Sequence, residues 1–267
     1  MKNTDTTAPL PKEHEARHPW DETLRTLVYA ILLAILFRSL AFEPFHIPSS
    51  SMKDTLLVGD YVFVSKYSYG YSRYSFPFGF RLFDGRILSD NRPQRGDIVV
   101  FRLPSNPRID FIKRVIGLPG DKIQVIDNEL YINDQKVPRE MDSIYWDDEM
   151  EKKIPHYQET LPGGVVHSIL DMGMQPPDPL TGFTADNTGV YTVPEHHYFM
   201  MGDNRDNSTD SRFSSIVGFI PEENLVGRAE MIFFSMDSSA QYWEIWKWPS
   251  ALRWHRFFKS LAPAHSQ

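Results

Sequence analysis

The chain has 267 residues, 41% of them hydrophobic, with six tryptophans, enough to bury a core and to fill one large domain or two small ones. Its 28 basic and 35 acidic side chains leave a formal charge of −7, so no global positive field draws it to nucleic acid or to an anionic surface. With no cysteine, a disulfide framework, a thiol nucleophile and a thiolate-rich zinc site are excluded. The compartment stays open, because an exported domain of this size folds without disulfides.

From Leu27 to Phe37 every residue is apolar or aromatic, and Leu24 to Phe42 reaches the length of a bilayer span interrupted by Arg25 and Arg38. At about 1.5 Å per residue the uncharged part is shorter than a hydrocarbon layer of roughly 30 Å, so the two arginines must snorkel toward opposite interfaces. We expect a transmembrane anchor over residues 23–42 behind a cytoplasmic tail over 1–22. Two alternatives stay open: a cleavable export signal, with Ser39 and Ala41 as its small-x-small pattern, and an amphipathic or buried helix. Lys2, Lys12 and Arg17 precede the span and favour an inside N-terminus, since the acidic residues among them count little.

After Pro44 and Pro48 the sequence becomes short β-like runs punctuated by Gly, Pro, Asn and Asp. Strands are predicted at Asp60–Lys66, Asp97–Arg102, Ile109–Ile116, Lys122–Ile126 and Glu129–Ile132, with Asp127 and Asn128 as the turn between the last two. Residues 133–189 carry six prolines, few periodic apolar runs and many acidic side chains, and read as an inserted subdomain. Strand-like sequence resumes at Val190–Val193, Tyr198–Met201 and Leu225–Phe234. The fold class is therefore mostly β: a single N-terminal transmembrane helix, a β-rich catalytic domain over 43–132 and 190–240, the insertion, and a tail over 241–267. If Ala251–Ala262 is helical, Ala251, Trp254, Phe257, Phe258, Leu261 and Ala262 share one face and Arg253, Arg256 and Lys259 the other. That amphipathic tail would lie in a membrane interface or pack on the protein's own core.

Three segments could carry chemistry. Pro48-Ser49-Ser50-Ser51-Met52-Lys53-Asp54-Thr55-Leu56 places three serines just beyond the apolar span; alone, such a cluster is as easily a turn or a cap. Phe111-Ile112-Lys113-Arg114-Val115-Ile116-Gly117 alternates so that Lys113 shares a face with Ile109, Phe111 and Val115. A lysine amine is a base only when neutral, and lowering its pKa from about 10.4 by 2 to 3 units costs roughly 3 to 4 kcal/mol. The bland reading is an edge strand with Lys113 and Arg114 in water. Gly202-Asp203-Asn204-Arg205-Asp206-Asn207-Ser208-Thr209-Asp210-Ser211-Arg212 is a dense polar loop. Read as a calcium loop from Asp206 it lacks the glycine (Ser211) and the final acidic ligand (Val217), so turn chemistry or an ion-pair scaffold remains.

In this order the three segments resemble the bacterial type I signal peptidases, membrane-bound serine/lysine endopeptidases that remove leader peptides from exported proteins. The resemblance covers residues 47–60, 111–121 and 202–212, the anchor, and a weaker run at Gly218-Phe219-Ile220-Pro221, about half the chain. It implies a signal-peptidase-like β-sheet catalytic domain in which Ser51 is the nucleophile and Lys113 the general base. By the same resemblance Ser49 is a hydroxyl donor in the oxyanion hole, Ser208 orients Lys113, Asp210 and Arg212 form a supporting ion pair, and Met52, Leu56 and Ile112 line the substrate pocket. No cofactor or metal is implied. The implied partners are preproteins with small-x-small junctions, membrane lipid and the protein export machinery, and no nucleic acid. The implied location is the bacterial inner membrane, with one span and the catalytic domain on the outer face. Asp54 departs from the family, which commonly has proline there. Rival readings are a Ser-His-Asp enzyme using His46, His167, His196 or His197, none of which lies in the matched segments; a soluble self-cleaving repressor, whose DNA-binding domain is missing; and a non-catalytic exported β-domain.

Overall fold

The computed structural model describes residues 19–75, 85–88, 91–237, 239 and 243–265. The chain divides into two units, Met1–Arg38 and Ser39–Gln267. Most of the expected tail over residues 1–22 lies outside the described residues.

A helix, Pro19–Leu40, begins in the first unit and ends two residues into the second; it is opened by a proline at a position where a missing N–H breaks no intrahelical bond. Leu24, Leu27, Val28, Tyr29, Ile31, Leu32, Leu33 and Ile35 are all exposed, and at 100° per residue they surround the helix instead of forming one stripe. Among the described residues no helix is long and apolar enough to cross a membrane.

The second unit is mostly β, and its main sheet has eight strands. Seven follow one path, Phe42–His46, Asp60–Ser65, Leu225–Ser235, Ile98–Leu103, Asn106–Gly117, His197–Met201 and Ile220–Pro221, while Lys259–Ser260 pairs with Leu225–Ser235. Every described pairing is antiparallel. Runs such as Ile98-Val99-Val100-Phe101 are β-branched or aromatic and buried on both faces, as a central strand between two packed layers requires. The predicted strands recur with ends moved by a few residues. A further sheet joins Tyr191–Thr192, Lys122–Ile126, Glu129–Ile132 and Gln135–Lys136. Its two tight hairpins turn through Asp127-Asn128 and Asn133-Asp134, all four at positive φ, the geometry that Asn and Asp tolerate best.

Residues 139–170 are more regular than their prolines suggest. Arg139–Asp147, Lys152–Leu161 and Val165–Leu170 form an antiparallel meander, and Ala264–His265 adds a fourth strand.

The helix considered over Ala251–Ala262 is absent. Trp248–Ala251 is a single helical turn, Trp254–Arg256 a 3₁₀ turn, and Phe258 sits at φ 60°, which ends any helix before the strand Lys259–Ser260. Ala251, Arg256 and Leu261 are buried. Arg256 belongs to the core: its guanidinium reaches Asp60 at 2.6 and 3.1 Å and donates to the Thr55 carbonyl at 2.9 Å. Arg256→Met takes from the buried Asp60 carboxylate its nearest cation, leaving the Ser235 hydroxyl and the Leu57 N–H as its short contacts, and should lower unfolding free energy by about 3 kcal/mol, read as a shifted urea midpoint in tryptophan fluorescence.

Candidate active site

Ser51 opens a turn that follows the edge strand Phe42–His46. The turn is closed by Lys53 N–H donating to Ser50 O (2.9 Å) and Leu56 N–H to Met52 O (2.7 Å). Met52 and Leu56 anchor it in the core cluster with Ile47, Ile98, Val100 and Ile112. The lysine comes from a different element. Asn106–Gly117 is an interior strand, and Lys113 stands opposite Val99 of its neighbour.

These two elements bring Lys113 Nζ to 2.5 Å from Ser51 Oγ, with both residues buried, across 62 positions of sequence. The amine also lies 5.3 Å from the centre of the Phe111 ring. Burial strips water from the ammonium and lowers its pKa to about 8; Asp210 and Asp203 oppose that fall and Arg212 adds to it. At pH 7 roughly a tenth of Lys113 is therefore the free amine, able to accept a proton at contact distance.

The polar loop holds this pair from behind. Arg212 Nε and Nη2 each reach the Asp210 carboxylate at 2.9 Å, and Gly202 N–H donates to Asp210 at 3.0 Å. Burial alone would raise the Asp210 pKa, but Arg212 and these donors carry it below its usual value. Arg114, next to Lys113, grips Asp203 with two bonds of 2.8 and 2.7 Å, and that guanidinium holds the buried Asp203 carboxyl far below the usual range despite desolvation. Thr55 donates to the same carboxylate at 2.6 Å. Asn204 N–H donates to the Ser51 carbonyl and its amide to the Ser50 carbonyl, both at 3.1 Å, and Asn207 donates to Ser50 Oγ at 2.9 Å.

A cleft of about 390 Å³ opens over the pair, walled by residues 45–51 and 109–113 together with Val100, Asn207 and Thr209. Ser49 is exposed on this wall and Ile112 lines it. Met52 and Leu56, expected there, are instead buried in the core and absent from the lining; Phe111, Val100 and Ile109 supply the apolar wall. Ser208 is not bonded to Lys113. It is buried, its hydroxyl has no hydrogen-bond partner among the described residues, and it packs against Gly202. Asn204 and Asn207 lay within the polar segment, but nothing in the pattern assigned them to the serine turn.

The four histidines of the rival triad are dispersed. His46 stacks near Tyr61 at the cleft rim, His167 lies between Glu159 and Asp203, His196 faces Glu222, and His197 meets the Glu195 carbonyl. None is hydrogen-bonded to Ser51. Asp54 adopts φ 81°, a conformation closed to proline, whose ring fixes φ near −65°.

A family model for signal peptidase, peptidase S26, matches residues 20–234. Signal peptidase I of Rickettsia typhi is 41% identical over 253 residues, covering 88% of this chain and 92% of its own. That of Rickettsia massiliae is 42% identical, over 88% and 91% of the two chains. Among solved structures, a signal peptidase I from Enterococcus faecalis V583 matches with 29% identity and a TM-score of 0.32, over 52% of this chain and 98% of the other.

Gly202 leaves room for the serine turn. A Cβ there would fall 2.3 Å from Ser208 Oγ and 2.5 Å from the Ser51 carbonyl oxygen. Gly202→Ala should therefore displace Ser51 and slow its acylation by a serine-directed probe on the order of 100-fold, with little change in the circular-dichroism spectrum.

Proposed function

The chain belongs to the signal peptidase I family of S26 peptidases, serine endopeptidases that remove signal peptides from exported preproteins, and within that activity we propose that Ser51 is the nucleophile and Lys113 the general base. The observation that carries this reading is the 2.5 Å approach of a buried, pKa-lowered amine to the serine hydroxyl at the floor of an open cleft.

Neutral Lys113 takes the Ser51 proton as Oγ attacks the scissile carbonyl. The protonated amine then donates to the leaving nitrogen, and the acyl-enzyme on Ser51 is hydrolysed by a water that the same lysine activates. The oxyanion meets the Ser51 N–H, which has no acceptor among the described residues, and the Ser49 hydroxyl on the cleft wall. Asp210 and Arg212 hold the loop behind the lysine. Ser208 is buried in the same loop beside Gly202, and we assign it the orienting of Lys113. The apolar wall of Ile112, Val100 and Phe111 suits small side chains flanking the scissile bond.

The family is membrane-associated in bacteria. We read Pro19–Leu40 as the anchor although it falls short of an uninterrupted apolar span, because Leu24, Leu27, Val28, Tyr29, Ile31, Leu32, Leu33 and Ile35 are exposed around the helix. Its 22 residues span roughly 33 Å, with Arg25 reaching back to one interface. A single span with the catalytic domain on the outer face holds Ser51 near the bilayer, where a leader helix ends and the export machinery delivers it.

Cleavage of a preprotein at a small-x-small junction should be lost in both Ser51→Ala and Lys113→Ala. The wild-type rate should rise with pH through about 8, since the amine works only unprotonated. Retained cleavage in either variant refutes the dyad.

A further inference from the structure

Two consecutive residues of the nucleophile turn reach out of the main sheet to the hairpin made by Arg139–Asp147 and Lys152–Leu161. Lys53 is buried, and its ammonium meets Asp147 at 3.1 and 2.9 Å and Glu149 at 2.9 Å. Asp147 is fully buried and also accepts the N–H groups of Glu149 and Met150. Asp54, at its positive φ, meets His156 Nε2 at 3.0 Å. The other ring nitrogen of His156 faces Asp142, which is also held by Gln158 at 3.0 Å. The strand pairing slips by one residue at Asp142, the local device that re-aims a side chain.

We propose that this hairpin is a clamp on the nucleophile turn, and that His156, bridging Asp54 and Asp142, is a positioning residue for Ser51. The inference rests on Ser51 being the nucleophile. Met52 and Leu56 fix one side of the turn in the core; Lys53 and Asp54 fix the other, so the turn that carries Ser51 cannot shift away from Lys113 without breaking an ion pair. Proline in place of Asp54 would supply neither the φ nor the carboxylate, so this chain holds the turn by charge where its family commonly uses a ring.

The bridge requires His156 to carry a proton on both nitrogens, because a neutral imidazole has one donor and would aim a lone pair at the second carboxylate. Burial pulls its pKa down, but the bonds to Asp142 and Asp54 carry it above the usual 6.5. Tyr145, Asp148 and the Lys53–Asp147–Glu149 group surround the bridge on the hairpin side and the turn. The His156 arm of the clamp is thus in place below pH 6.5 and is lost as pH rises through the raised value, while the Lys53 arm persists.

The test uses the full chain in detergent, with kcat and KM for a preprotein measured across the histidine titration for wild type, Asp54→Asn, His156→Gln and the double variant. Asparagine tolerates the positive φ, so Asp54→Asn removes only the charge and carries the test alone if His156→Gln fails to fold. At the acid end each single variant should lose about tenfold in kcat with KM within about twofold. That deficit should close as pH rises, and the double variant should be no worse than either single. Lys113 ionises in every form, so the basic limb of each variant's own pH profile is fitted first and the kcat ratios are taken after its contribution is removed. A deficit constant with pH, additive losses in the double variant, or a change confined to KM overturns the clamp. Ser51→Ala separates the two readings: if it still cleaves, the nucleophile is wrong; if it is inert while the other variants match wild type, only the clamp fails.

Discussion

Everything at this site follows from keeping one lysine amine dry. In water Lys113 would be charged and useless as a base at neutral pH; enclosed by the sheet, the Phe111 ring and the serine turn, its pKa falls to about 8. Burial of a cation is costly, and the surrounding carboxylates could have cancelled the effect by holding the proton. Their charge is instead spoken for. Asp203 is committed to Arg114 and Asp210 to Arg212, so the lysine feels two neutralised pairs in place of two bare anions. This is a division of labour between neighbours: Arg114 and Lys113 are consecutive, one permanently charged and paired, the other free to lose its proton.

The same arrangement explains why the serine is presented by a turn and the lysine by a central strand. The strand is held on both sides by antiparallel partners and fixes the amine. The turn is tied by Asn204 and Asn207 from one loop, by its own Met52 and Leu56 in the core, and by its Lys53 and Asp54 to the hairpin of a separate sheet. The placing of Ser51 against Lys113 therefore draws on most of the domain.

Much of the main sheet was legible in the sequence because its strands bury β-branched runs with few polar interruptions. The meander over 139–170 was not. Its buried positions include Asp147, His156, Glu159 and His167, and Pro155 lies within a strand, so the alternation is present in burial yet absent from hydropathy. In the tail the reverse happened. An apolar periodicity over Ala251–Ala262 suggested a helix, while Arg256 and Leu261 are buried in extended and turn segments by long-range contacts that no local pattern encodes. Ser51 and Lys113 stood out through the resemblance; no spacing rule links residues 62 apart. Met52 and Leu56 have the right chemistry for a pocket wall, but a turn's burial direction is set by the sheet beneath it.

The docking of Arg256 couples two distant stretches of the chain. Its guanidinium supports both Asp60 and the Thr55 carbonyl at the end of the serine turn, and the strand Ala264–His265 completes the sheet that holds Lys53 and Asp54. The turn that carries Ser51 is thus seated from a distance of 201 positions in sequence, so a substitution at Arg256, far from the cleft, reaches the serine through the Thr55 carbonyl.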